Sequence, residues 1–477
     1  LNIQFLKLTF PVKLYFLLFV AASVNLHAQP FYFGADLSYV NEMEDCGAVF
    51  KENGESKDSY SIFKDQGCNL VRVRLWHTPS WYDALNQGNR YSDFADVANS
   101  ISRAKSLGLH ALLDFHLSDT WADPSHQVVP AAWASVVNNL PVLQDSLYQY
   151  IYNTLTQLSA SGLLPEMVQI GNETNKGILL SQQVNDQGWS VNWPRNAALF
   201  NSAIDAVRDV ESETGSTIKV ALHIADPSEL DWWMEQFWTN GVQDFDIIGV
   251  SYYHQYHDEL FPEVGDAISD MKATYPGKAV MILETGYPWT TGFDDNANNL
   301  LHTVYPGYPF SPANQKEWLV DLAQVVIDHG GSGVVYWEPA WVSTGCFTRF
   351  GKGSNWENCT FFDFETNLLN NGGAGWMSHA YDFTSATNEI LPKKNSLQIQ
   401  QADHEIILRR DNELLFNEEM DVEFHTLDGK FLSRQTYFPI WENNRFHVNI
   451  PNLSSGCFLI TCILSGQQPV NQLFFKN

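Results

Sequence analysis

The chain has 477 residues, 44% hydrophobic, 14% aromatic and only 17% charged, which is enough for one large core and a smaller piece. Its 55 acidic against 27 basic side chains leave a formal charge of -28, which argues against nucleic acid or an anionic membrane as partner, since either would be repelled; a neutral ligand is the expectation. The 16 Trp, 19 Tyr and 30 Phe exceed the needs of such a core, and flat aromatic faces suit sugar rings.

In chain order, residues 1–28 read as an export signal. Lys7 and Lys13 precede the apolar run Leu14-Tyr-Phe-Leu-Leu-Phe-Val-Ala-Ala22, and Leu26-His-Ala28 offers a cleavage site. The run is short for a membrane span, and no Cys lies near the cleavage point, which disfavours a lipid anchor. A secreted or cell-surface protein is expected.

Apolar runs then recur at 31–39, 69–77, 110–116, 167–173, 218–226, 245–253, 279–284 and 333–338. Several are near-continuous Val/Ile/Leu stretches, as parallel strands covered on both faces require. Segments 94–107, 143–158, 197–214 and 315–329 show helical spacing and predict an outer ring. The fold class that follows is α/β, a (β/α)8 TIM barrel over residues 29–390, followed by a small all-β sandwich-like domain over 391–477.

The carboxyl ends of these runs are polar, and such barrels place their chemistry there. Glu173 ends Met167-Val-Gln-Ile-Gly-Asn-Glu173 and Glu284 ends Ala279-Val-Met-Ile-Leu-Glu284. Two carboxyls facing each other across a barrel mouth are the working parts of a glycosidase. One protonates the leaving oxygen, and the other meets positive charge at the anomeric carbon. Glu173 is assigned as proton donor and Glu284 as nucleophile. Asn172 is placed to bond a sugar hydroxyl, Arg74 and Tyr252 are expected to hold Glu284 ionised, and Trp337 is expected to floor the sugar site. Buried ion pairing inside the barrel is the alternative for Arg72 and Arg74. The strand-end residues Asp36 and His116 complete the expected lining.

Asn172-Glu173, Glu284 and Trp337 resemble the large clan of retaining barrel glycosidases. Longer strings are more selective: Gly34-Ala-Asp-Leu-Ser-Tyr39, Val71-Arg-Val-Arg-Leu-Trp76, Asp114-Phe-His-Leu-Ser-Asp-Thr-Trp-Ala-Asp-Pro124, Gln169-Ile-Gly-Asn-Glu-Thr-Asn175 and Ser354-Asn-Trp-Glu-Asn358 followed by Phe362-Asp-Phe364. They resemble glycoside hydrolase family 53, the arabinogalactan endo-β-1,4-galactanases. The resemblance implies retaining endo-hydrolysis of β-1,4-galactan, a pectin side chain, with no organic cofactor. It also implies sugar contacts from Asp123, Pro124, Ser125 and His126 and from Ala225 and Asp226.

The resemblance further implies a calcium ion between the loops after strands seven and eight. There Asp294, Asn296 and Asn298 offer hard oxygen ligands at alternating positions, and an Asn/Asp-rich turn is the equal alternative. A metal-dependent hydrolase is disfavoured, since the first strand carries no His-x-His, and the spacing of His254-Gln-Tyr-His257 suits substrate or core contact better. Remaining alternatives are a galactan-binding pseudoenzyme and a mannanase or xylanase sharing the clan machinery. Among six cysteines, Cys346 and Cys359 form the best candidate disulfide.

Beyond residue 390 the texture changes. Leu391-Pro-Lys-Lys-Asn-Ser396 reads as a linker, and alternating segments at 405–409, 421–426, 445–450 and 457–464, with a turn at Asp428-Gly429, predict short strands. Val422-Glu-Phe-His-Thr-Leu-Asp-Gly-Lys430, Phe446-His-Val-Asn-Ile-Pro-Asn-Leu-Ser-Ser-Gly-Cys-Phe458 and Asn471-Gln-Leu-Phe-Phe-Lys-Asn477 resemble the carboxy-terminal sorting domain of type IX secretion. That implies the outer-membrane secretion machinery as a partner. A carbohydrate-binding module, using Tyr437, Trp441 and Phe446, is the alternative. No oligomer interface is legible, and a monomer is expected.

Overall fold

Eight strands close into one parallel barrel in chain order. They are β1 Tyr32–Asp36, β2 Leu70–Leu75, β3 His110–Phe115, β4 Met167–Ile170, β5 Lys219–Ala225, β6 Ile247–Tyr252, β7 Ala279–Thr285 and β8 Gly333–Tyr336. Each lies within, or within one residue of, an apolar run expected from the sequence. The helices between them are α1 Ser59–Asp65, α2 Phe94–Ser106, α3 Leu140–Ala160, α4 Trp193–Thr214, α5 Leu230–Thr239, α6 Phe261–Thr274 and α7 Pro312–Asp328. The computed structural model describes residues 31–184, 190–349, 351–370 and 372–383, then 397–402, 405–410, 420–426, 430–437, 445–448, 456–464 and 470–476. The expected export signal, the linker at 391–396, the turn at Asp428-Gly429 and Trp441 lie outside the described residues.

Helix spacing explains the outer ring. In α3, Leu143, Leu147, Ile151, Leu155 and Leu158 are buried at intervals of three or four, so one stripe faces the sheet. Asn192 caps α4 by accepting from the Arg195 N–H, and the helix stops at Gly215, whose φ of 66° is the left-handed conformation glycine adopts without cost.

Inside the barrel the chemistry is layered. The lower plug takes apolar side chains from every strand, among them Tyr32, Leu70, Leu112, Met167, Ala221, Ile247, Met281 and Val335. Two residues further along, the same inward positions become polar: Arg72 on β2, Asp114 on β3, Gln169 on β4, His223 on β5, all fully buried. The period of two that fills the plug therefore also aims the polar side chains toward the carboxyl face.

Among the described residues beyond the barrel, seven antiparallel strands form two small sheets. Strands β9 Leu397–Ala402, β10 Glu405–Arg410 and β13 Arg445–Val448 pair in the order β9-β10-β13. Strands β11 Met420–Thr426, β12 Phe431–Tyr437, β14 Gly456–Leu464 and β15 Val470–Lys476 pair in the order β12-β11-β14-β15. The all-β expectation holds, with β9, β12 and β15 added to the segments read from sequence.

Candidate active site

Glu173 reaches the barrel mouth because β4 stops early. Gly171 has φ 74°, and a Cβ there would sit 2.6 Å from Thr174 Cγ2, so the chain turns immediately after Ile170. Glu173 follows at φ 44°, a left-handed conformation that costs a non-glycine residue about 1–3 kcal/mol and clusters at functional sites. Asp226 and Glu338, just past β5 and β8, also have positive φ, 74° and 46°.

Glu284 reaches the mouth by another device. Along β7, alternation points Met281 and Leu283 into the barrel plug, which would send residue 284 outward. The pairing register slips on both neighbours, from Val250↔Ile282 to Ser251↔Glu284 on β6 and from Val334↔Ile282 to Tyr336↔Thr285 on β8. This bulge turns Glu284 back inside.

A buried guanidinium then receives it. Arg72 Nη2 lies 2.8 Å from Glu284 Oε1 and 2.8 Å from Asp114 Oδ2, while Nη1 donates to Asp36 Oδ2 at 2.6 Å. Arg72 also donates to Gln169 Oε1 at 3.1 Å and Asn172 Oδ1 at 2.8 Å, tying β1, β2, β3, β4 and β7 together. Tyr253 Oη donates to Glu284 Oε2 at 3.2 Å. Burial pushes the Glu284 carboxyl up, and Arg72 opposes that rise by favouring the ionised form.

The Glu173 carboxyl is pushed up first by burial and then by the negative charge of Glu284, so the two ionise in sequence as a coupled pair. Ser251 opposes the rise by hydrogen bonding to the carboxylate. Behind Ser251 stands His223, which burial holds well below the usual histidine range and therefore neutral. Its Nδ1 faces two donors, Gln169 Nε2 at 3.0 Å and the Glu173 N–H at 3.3 Å, and one acceptor, Asn172 Oδ1 at 3.0 Å, which already receives Arg72 Nη2 at 2.8 Å; the two donors place the ring proton on Nε2. Nε2 donates to Ser251 Oγ at 2.9 Å, so the Ser251 hydroxyl is free to donate onward to Glu173.

Both glutamates line one cleft of about 490 Å³, with Asp123, Pro124, Asn172, Ala225 and Trp337 from the expected set. Its walls also take Trp121, Tyr253, Tyr256, Trp341 and Trp356, which sequence reading did not single out as site residues, and His257, which it read as a substrate or core contact. Trp356 lies in the quoted Ser354-Asn-Trp-Glu-Asn358 string, but only the fold shows that this loop returns to the mouth. Trp356 Nε1 donates to Trp337 O at 2.9 Å, and its ring stands edge-on to Trp337 at 4.7 Å. A Cβ on Gly286 would meet the Trp356 ring at 2.4 Å, so glycine after β7 makes the room.

The two residues expected to hold Glu284 do not. Arg74 pairs with Glu338 Oε1 at 2.8 Å, and its guanidinium lies against the rings of Tyr39, Trp76 and Trp121 at 4.3–4.6 Å, beneath the cleft. Arg72, one inward position earlier on β2, takes that role. Tyr252 faces the helix layer, stacks on Trp318 and donates to Glu259 O at 2.7 Å; Tyr253, one residue on, faces inward. A one-residue shift along a strand exchanges faces.

Asp36 and His116 are buried below the cleft: Asp36 accepts from Arg72 and Ser38, and His116 Nδ1 lies 2.8 Å from Asp114 Oδ2. Asp123 receives the His126 ring nitrogen at 2.8 Å and the Ser125 N–H at 2.7 Å, folding residues 123–126 into a tight turn at the rim. Ser125 and Asp226 line a space adjoining the cleft.

In the loop after β7, Asp294, Asn296 and Asn298 all lie on the exposed side, and Asp295, Ala297 and Asn299 on the inner one. Ser343 Oγ lies within hydrogen-bonding reach of both Asp295 and Glu357, and Glu357 accepts the Asp294 N–H at 3.0 Å. Among the described residues no group of three or more His, Cys, Asp or Glu is disposed to hold a metal ion. His254 and His257 turn to backbone partners instead, Glu259 O and the Tyr253 N–H.

The expected Cys346–Cys359 disulfide is not formed. Cys346 bonds Cys46, whose Cα is 5.7 Å away and 300 residues earlier, joining the segments after β1 and β8. Cys359 is a buried thiol in a turn whose carbonyl accepts from Tyr336 Oη and Gln315 Nε2, which fixes it away from Cys346. Cys68 is also a buried thiol.

Residues 32–371 match the family model for glycosyl hydrolase family 53. An arabinogalactan endo-β-1,4-galactanase of Cellvibrio japonicus is 49% identical over 70% of this chain and 87% of its own length. An endo-β-1,4-galactanase of Bacillus subtilis is 34% identical over 67% and 72%. The catalytic domain of an Ignisphaera aggregans family 53 enzyme superposes with a TM-score of 0.66 at 30% identity, covering 74% of this chain and 96% of that one. A barrel whose fourth and seventh strands end in two cleft-facing glutamates, matched along its whole length in this way, belongs to glycosyl hydrolase family 53.

Proposed function

We propose that the protein is a retaining endo-β-1,4-galactanase acting on the galactan side chains of pectin. The observation that carries this is the asymmetric pair in one cleft: Glu284 drawn to ionise by Arg72, and Glu173 kept protonated by burial and by that same charge. The named activity of the relatives supports galactan as substrate. Glu284 attacks the anomeric carbon and forms a glycosyl ester as the glycosidic bond breaks, while Glu173 gives its proton to the departing oxygen. Glu173, now a carboxylate, takes a proton from water, and the resulting hydroxide displaces Glu284. Two inversions return the original configuration. Arg72 and Tyr253 stabilise Glu284 as it is released.

The test is a product profile of the purified protein on linear galactan beside mannan and xylan. Short galacto-oligosaccharides from galactan alone are expected. Cleavage of mannan or xylan instead would overturn the substrate assignment, and retention of galactan without product would point to a pseudoenzyme.

Calcium remains a proposal of the loop after β7. Asp294, Asn296 and Asn298 are all exposed and do not fit a cage; the oxygens that approach one another belong to Asp295 and Glu357, through Ser343. A calcium-dependent rise in melting temperature, abolished in Asp295→Asn, would support an ion there.

Export and a type IX sorting role for the tail are likewise proposals. The signal-like run at 1–28 and the tail strings support them, and no described helix is long and apolar enough to cross a membrane. Deleting residues 397–477 and following where the protein accumulates in its host tests the sorting role: an unchanged distribution would refute it.

A further inference from the structure

A second hollow of about 640 Å³ opens beside the catalytic cleft, within the usual size of ligand sites, roughly 300–1,000 Å³. The two share Pro124, Ala225, Tyr256 and His257 in their walls, so one runs into the other. At its far side stands Trp232 on α5, 48% exposed. Core packing does not call for this ring. The helix buries Leu230, Trp233, Met234 and Phe237, the i, i+3, i+4, i+7 stripe, and Trp232 falls off it. Its ring is nevertheless held, edge-on to Trp233 at 4.8 Å and to Trp193 at 6.4 Å. Tyr256, 56% exposed, forms the shared ridge and is anchored by its hydroxyl to Leu300 O at 3.2 Å. Asp226 and Glu229 bring carboxylates to the same hollow.

The side of the cleft can be assigned. Every wall of the hollow comes from the segments after β3, β4, β5 and β6, and none from those after β7 or β8. Glu173, which protonates the leaving oxygen, closes β4, so the leaving half of the polymer lies on this side. Trp337, Trp341 and Trp356, all after β8, wall the opposite side.

Resting on the galactanase reading, we infer that this hollow is a distal binding site for the leaving-group portion of the galactan chain, with Trp232 as its stacking platform and Tyr256 as the ridge the chain crosses. The axial O4 of a galactose ring leaves one face with only C–H groups, which suits an exposed indole. Asp226 and Glu229 accept from the hydroxyls at the ring edge.

The experiment uses the full chain with Trp232→Ala and Trp232→Tyr. It compares kcat/KM on linear galactan with that on an aryl β-1,4-galactobioside, whose leaving group ends before the hollow. In Trp232→Ala the ratio of galactan to aryl activity falls by about tenfold, the order of one lost stacking contact, and Trp232→Tyr recovers most of it. Products from galactan also shift in length. An unchanged ratio, or equal losses on both substrates, would overturn the distal site while leaving the galactanase reading intact. No galactan cleavage by the unsubstituted protein would instead overturn that reading, and the occupant named here with it.

Discussion

Ser251→Ala tests whether the Glu173 proton is set by a relay that touches no sugar. Ser251 is fully buried, accepts from His223 Nε2 at 2.9 Å and donates to the Glu173 carboxyl. A hydrogen bond to a charged acceptor contributes about 1.5–3 kcal/mol and one to a neutral acceptor about 0.5–1.5, so the hydroxyl favours the carboxylate by roughly 1 kcal/mol. At 1.36 kcal/mol per pH unit, its loss raises the Glu173 pKa by about 0.7 unit. Glu173 must be protonated to donate, so the alkaline limb of kcat/KM on galactan moves up by that amount. The acid limb, set by Glu284, stays nearly in place, because Glu173 is neutral there. The substitution also strands the His223 Nε2–H in the barrel, and urea unfolding should show a loss of about 1–3 kcal/mol. A lost alkaline shift with the stability cost intact would confine Ser251 to a structural role, and a downward shift would refute the relay.

Glu284→Ala should abolish turnover while sparing galactan binding, measured by affinity electrophoresis; substantial residual activity would sink the nucleophile assignment. Glu173→Ala should lose far more on galactan than on activated aryl galactosides, whose leaving groups need no proton, so equal losses would argue against the acid role. Tyr253→Phe removes a donor that favours ionised Glu284, so the acid limb should rise, by about half a pH unit, whereas Tyr252→Phe should leave it unmoved. Cys46→Ser opens a cross-link spanning 300 residues and should cost about 2–4 kcal/mol in chemical denaturation, with the unsubstituted protein matching it only under reductant.

What the sequence disclosed and what it hid divide along a physical line. The eight strand runs were legible because strands sheathed on both faces read as continuous apolar stretches, and the two cleft-facing glutamates were legible because each ends such a run. The partners of those glutamates depend on orientation, which composition does not carry. Arg72 and Arg74 both point inward on β2, and nothing in Val71-Arg-Val-Arg-Leu75 says which meets Glu284 and which Glu338. Tyr252 and Tyr253 are chemically identical neighbours separated only by strand phase. The phase of β7 itself is broken by the slip beside Leu283, so strict alternation would have turned Glu284 out of the barrel. The disulfide fails in the same way: Cys359 is near Cys346 in sequence, but closure of the barrel brings Cys46 to it from the opposite end. Barrel closure also explains why the polar layer tolerates three carboxylates around Arg72. Asp36, Asp114 and Glu284 arrive from strands β1, β3 and β7, and one guanidinium is their shared counter-charge. A buried ion cluster of this kind is weak support for stability. Its product is asymmetry, since the carboxyl in contact with Arg72 ionises first and holds its partner across the cleft in the acid form.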